Sequence, residues 1–122
     1  MADFEALFRR VAQRPGMYGI RTLGQYQAFL LGYNFALCEA PLLGLKEYFV
    51  KKNNGGNNLV YGNMEALVDG ETEEERIKSW HSLLEEFFEA RRNKGLQKIF
   101  VEHQKWLEEQ NWYRRRSADP AT

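Results

Sequence analysis

Large apolar side chains recur at helical spacing through most of this chain, and the recurrence is cut at a few places by proline or glycine. That combination constrains the fold more than any other feature. A stripe at i, i+3, i+4 and i+7 gives a helix one face that must be covered, and a breaker fixes where the chain can turn to cover it. Phe4, Leu7, Phe8 and Val11 form the first stripe, with Arg9 and Arg10 opposite and Asp3 placed to cap. Pro15 disfavours helical geometry in Arg14, so this helix ends near Gln13. Thr22 and Gln25 then form a capping box. Tyr26, Phe29, Leu30, Tyr33, Ala36, Leu37 and Ala40 keep helical spacing as far as Pro41. Leu31, Phe35 and Cys38 fill the remaining sides, so a helix over 23–40 is expected at the centre of a bundle.

Beyond Pro41, Leu45, Tyr48, Phe49 and Lys52 suggest a shorter helix over 43–52, stopped by the "NNGGNN" run at 53–58. Asn63 could cap one or two turns ending at Gly70. The alternative for this region is a short β-hairpin around 46–62, with strands near 46–51 and 58–62. Thr72 and Glu75 form a second capping box, and Ile77, Trp80, Leu84, Phe87 and Phe88 define a helix over 73–93 that stops at Gly95. Leu96, Ile99, Phe100, His103, Trp106, Leu107 and Gln110 define a last helix over 96–112, packed antiparallel to it. The expectation is an all-α, single-domain bundle of about five helices over 1–113, with a flexible basic tail at 114–122.

Lys plus Arg (17) balance Asp plus Glu (17), which removes overall charge as a reason to expect a nucleic-acid binder. The single cysteine, Cys38, lies in an apolar run, so neither an internal disulfide nor a cysteine metal site is expected, and a reducing cytoplasm is the natural compartment. The first residues lack the basic and apolar regions of a secretion signal, and the most apolar stretch is too short to cross a bilayer.

Chemistry is sparse. His103 falls on the apolar stripe of the last helix and His81 at the edge of the stripe beside Trp80, neither at zinc spacing from a second histidine. Glu85, Glu86 and Glu89 lack the Glu-x-x-His partner of a di-metal bundle. Ser79 and Ser82 have no glycine elbow, and no glycine-rich loop opens a helix as a phosphate cradle. No enzyme, metal or cofactor is expected.

Two stretches remain. In "AQRPGMYGIRTLGQ" the turn Arg14, Pro15, Gly16, Met17 and Tyr18 joins two helices. Pro15 and Gly16 reverse the chain, while Met17 and Tyr18 are expected to plug the helix pair as an apolar clasp, with Arg14 meeting a carboxylate or a helix end. The turn shares "RPGMY" with the ATPase domain of type II topoisomerases, but the Glu/Asn helix and Asp-x-Gly-x-Gly segment of that domain are missing. The longer stretch "RPGMYGIRTLGQYQAFLLGYNFAL", followed by the "SLLEEFFEARRN" helix, resembles small bacterial immunity proteins of polymorphic or contact-dependent toxin systems. That resemblance implies inhibition of a cognate toxin protein by binding, without catalytic residues.

The second stretch is acidic. Glu65, Asp69, Glu71, Glu73, Glu74 and Glu75 cluster without a Lys or Arg among them, and Tyr61 and Met64 stand nearby as apolar anchors. Such a cluster complements a helix N-terminus, and it can also cover the basic site of a nuclease toxin. The competing reading is a small nucleic-acid-associated or regulatory bundle acting through Arg9, Arg10, Arg14, Arg21, Lys51, Lys52 and Arg114 to Arg116 beside Trp112 and Tyr113.

Overall fold

The computed structural model describes residues 3–52 and 67–110. These form five α-helices, with no strand among the described residues: α1 (Asp3–Gln13), α2 (Leu23–Ala36), α3 (Leu45–Lys52), α4 (Glu73–Lys94) and α5 (Leu96–Glu109). A 3-10 turn, Pro15–Tyr18, joins α1 to α2. Residues 46–51, one arm of the alternative hairpin, are helical within α3. The other arm, the Asn63 cap and the tail from residue 114 lie outside the described residues.

Both capping boxes leave their mark on the backbone. Thr22 Oγ1 accepts from the Gln25 N–H at 3.1 Å while Gln25 Oε1 accepts from the N–H groups of Thr22 and Arg21, which starts α2. Thr72 Oγ1 likewise accepts from the Glu75 N–H, but Glu75 reaches back one residue further, to the Glu71 N–H.

The centre of the molecule is α4, not α2. Ile77, Trp80, Leu84, Phe87 and Phe88 of α4 are buried, and α1, α2 and α5 pack against it. Phe4 and Phe8 of α1 meet Phe88 with ring centroids 5.5 and 6.2 Å apart, and Tyr48 of α3 meets Phe87 at 5.9 Å. By contrast α2 buries one face only, through Leu23, Tyr26, Gln27, Leu30 and Asn34. Phe35, 58% exposed, and Leu37 and Cys38 face solvent, against the expectation that this helix is covered on several sides. Nor does α2 reach residue 40. Cys38 and Glu39 adopt left-handed backbone geometry (φ 57° and 65°), and the Glu39 N–H closes on the Asn34 carbonyl at 2.7 Å, so the helix ends at Ala36. The Asn34 side chain then accepts from the Leu42 N–H and carries the chain toward α3.

The last two helices are not mainly each other's partners. Gly95 (φ 87°) ends α4 and starts α5, and α5 packs chiefly on α3, sealed by Val50, Trp106 and Leu107. Glu102 of α5 accepts from Lys51 of α3 and Lys94 of α4, pinning the corner. Gly44 leaves room at the start of α3, where a Cβ would stand 2.7 Å from Leu96 and 3.6 Å from Phe87. Among the described residues no helix is long and apolar enough to cross a membrane.

Candidate functional site

The turn after α1 is built tightly. Pro15 presets the backbone for its first position. The Met17 N–H bonds to the Arg14 carbonyl at 3.1 Å, the Gly19 N–H to that of Gly16 at 3.2 Å and the Ile20 N–H to that of Pro15 at 3.1 Å. Pro15 and Ile20 are buried and anchor the turn from beneath. Met17 and Tyr18 do not plug the helix pair: Met17 is 72% exposed and Tyr18 48%. The apolar clasp expected of them is supplied by the smaller Pro15 and Ile20, because a four-residue 3-10 turn directs successive side chains around its axis and buries only part of them.

Beside the turn runs an open groove of about 580 Å³. Arg14, Met17 and Arg21 line one side of it, Glu74 and Ile77 of α4 the other, with Pro15 and Ile20 also contributing. The two stretches singled out in the sequence therefore share one surface, since Glu74 belongs to the acidic cluster and the opposite wall is the motif turn. Tyr61, Met64 and Glu65, assigned to the same cluster, lie outside the described residues.

The acidic residues around this groove differ in what engages them. Glu73 Oε2 accepts from the Leu23 N–H at 3.1 Å, capping α2 from across the bundle, and lies 3.8 Å from Arg76. Glu74 pairs with Lys78 at 3.3 Å, and Glu75 caps its own helix. Asp69 and Glu71 are exposed and have no ion pair among the described residues. On the other side Arg14 and Arg21 are exposed, and neither has a carboxylate partner among the described residues. Among the described residues Arg14 meets neither the carboxylate nor the helix end expected for it.

A second arrangement, around His81, was not visible from sequence except as the i, i+4 spacing of His81 and Glu85. His81 is buried. Its Nδ1 lies 3.0 Å from the Tyr26 hydroxyl and its Nε2 3.0 Å from Glu85 Oε1. Arg9 of α1 grips both oxygens of Glu85, at 2.9 and 3.1 Å, and the Tyr26 hydroxyl also lies 3.2 Å from the Phe8 carbonyl. Burial lowers the His81 pKa below that of an ordinary imidazole despite the neighbouring carboxylate. The Arg9 hydrogen bond holds Glu85 below the usual carboxylate range, and burial pushes the Tyr26 phenol well up. Both ring nitrogens of His81 are engaged by protein groups, and Tyr26 is fully buried. The arrangement ties α1, α2 and α4 together.

His103 is half-buried and stacks on Trp106, with centroids 6.2 Å apart. Among the described residues no group of three or more His, Cys, Asp or Glu side chains is placed to hold a metal ion. Glu86 instead accepts from Tyr48 at 2.9 Å and pairs with Lys52. No protein-family model, curated protein or solved structure matches this chain.

Proposed function

We propose that this chain is a non-catalytic, cytoplasmic protein-binding inhibitor: an immunity protein that neutralises a cognate bacterial toxin by direct contact. The observation that carries this reading is the convergence of the motif turn and the acidic start of α4 on one groove. The turn offers an exposed Met, Tyr and Arg on a backbone fixed by three hydrogen bonds and two buried anchors. Tyr and Arg are the side chains over-represented where binding energy concentrates, and a pre-ordered loop loses little entropy on association. Methionine adds an adaptable apolar contact. Asp69 and Glu71, exposed nearby in sequence, suit a partner with a basic surface and would speed encounter with it.

The test is co-expression of the tagged chain with the neighbouring reading frame, followed by affinity capture, mass spectrometry and a growth assay. The expected result is a one-to-one complex whose second component is toxic alone and harmless with the chain. Met17→Ala combined with Tyr18→Ala is expected to abolish protection while leaving the helical spectrum intact. Recovery of nucleic acid in place of a protein would overturn the proposal in favour of action through basic surfaces.

A further inference from the structure

The groove beside the turn has a polarity that the acidic cluster conceals. Glu74, its one acidic wall residue among the described residues, already pairs with Lys78, and Glu73, next to it in sequence, caps α2. Arg14 and Arg21 line the groove as well, both exposed, and have no carboxylate partner among the described residues. The charge left to meet a ligand in the groove is therefore positive. Met17, 72% exposed, gives it apolar contact surface above a floor of buried Pro15, Ile20 and Ile77.

We infer that the groove is the docking site for an acidic segment of the protein partner, in which an apolar side chain sits between carboxylates. The carboxylates meet the guanidiniums of Arg14 and Arg21, which suit bidentate recognition of that group. The apolar side chain rests against the exposed Met17. Volume fits the assignment: about 580 Å³ accommodates a few side chains of an extended segment. This inference rests on the inhibitor reading for the identity of the partner as a protein. It adds the chemistry of the contact, which is opposite in sign to what the acidic cluster alone suggests. Asp69 and Glu71 would then face basic residues of the same partner, so that the partner's charges are fixed in order along the surface.

The experiment is a titration of the full-length, nitrogen-15-labelled chain with two blocked peptides, Gly-Asp-Leu-Glu-Gly and Gly-Lys-Leu-Lys-Gly. The acidic peptide is expected to shift the amides of Gly16, Met17, Arg21 and Ile77, and the lysine peptide is not. Arg14→Ala with Arg21→Ala should weaken the acidic peptide about tenfold or more. Arg14→Glu with Arg21→Glu should reverse the preference between the peptides. Both arginines are exposed, so an unchanged circular dichroism spectrum separates lost binding from lost folding.

Absence of shifts at the groove, equal binding of the lysine peptide there, or an affinity unchanged in the double-alanine variant would each overturn the inference. So would tighter binding of a single-stranded oligonucleotide at the same residues. The two readings fail separately. A toxic one-to-one partner whose affinity is unchanged by the double-glutamate variant would leave the inhibitor standing and remove the groove assignment. Acidic-peptide binding in the groove with no toxic partner recovered would do the reverse.

Discussion

Glu85 is ionised and doubly engaged by Arg9, so it can only accept from His81, and the ring proton of a neutral imidazole must sit on Nε2. Nδ1 then accepts from the Tyr26 hydroxyl, whose other neighbour, the Phe8 carbonyl, would take that hydrogen if Nδ1 became protonated. Burial outweighs this accommodation and depresses the His81 pKa. As pH falls below the ordinary value of 6.5, the unfolded chain therefore binds the proton before the folded one does. Stability is complete above that value and declines as pH drops through the folded-state pKa, with a slope of at most about 1.4 kcal/mol per pH unit for one proton. Urea titrations across this range should show the decline, and His81→Gln should flatten it. His103, whose pKa burial lowers in the same direction, adds a further slope of the same sign. A separate loss is expected below the ordinary 4.5 of a glutamate, as Glu85, held low chiefly by Arg9, is protonated; Arg9→Met should narrow that window. Gln27 offers a test of the opposite sign. It is buried and its Nε2 has no hydrogen-bond partner among the described residues, so Gln27→Met is expected to raise stability by about 1 kcal/mol in denaturant melts. Of these residues the sequence showed His81 beside its stripe and Glu85 one turn on, but Tyr26 and Arg9 come from helices whose register no local pattern specifies.

Where α2 ends, one side chain takes over from the backbone. Arg91 of α4 donates from Nη1 toward the carbonyls of Ala40, Pro41 and Leu43, at 3.2, 2.9 and 3.3 Å. Its guanidinium also lies 5.1 to 5.6 Å from the ring centroids of Phe87, Phe88 and Phe4. A planar cation can stack on rings and donate in its plane at once, whereas an ammonium has no plane to stack and matches fewer of these contacts together. Arg91→Lys should therefore cost nearly as much as Arg91→Met, about 2 kcal/mol by chemical denaturation, although it keeps the charge. The loop held this way contains the left-handed Cys38 and Glu39. Relief of that geometry is worth about 1–2 kcal/mol per residue, and a glycine's extra freedom in the unfolded chain offsets about 0.4–1 of it. Glu39→Gly is thus expected to stabilise the protein by roughly 0.5 kcal/mol, read as a rise in midpoint. The same pair explains why α2 ends short of the Pro41 stop that the sequence pattern predicts. Pro41 is a visible stop, but a helix terminated by two non-glycine left-handed residues has no compositional signature. The starts of α2 and α4 were legible because Thr22 and Thr72 cap them chemically.

For the molecule as a whole, the stripes located five helices but could not rank them. A helix apolar on all sides by composition, α2, leaves Phe35 and Leu37 to solvent, while the more charged α4 takes the centre, because its carboxylates and cations find partners on the helices around it. The same pairing decides which charges remain to act at a distance. With a net charge of zero there is no overall field to steer a partner, so steering depends on the local order of Asp69 and Glu71 near the start of α4 and Arg14 and Arg21 across the groove. Exposed charges at a rim act mainly on the rate of encounter, and screening over about 8–10 Å limits them at physiological salt. Groups enclosed in a contact act mainly on the rate of escape. For the proposed toxin complex, Asp69→Lys with Glu71→Lys should then slow association and flatten its salt dependence while leaving dissociation nearly unchanged. Arg14→Ala with Arg21→Ala should speed dissociation about tenfold or more, with a smaller effect on association. Surface-immobilised kinetics of the two variants over a range of salt concentrations separate these contributions. The opposite assignment, with the acidic pair governing dissociation, would place the enclosed contact at the start of α4 and make the arginines the rim.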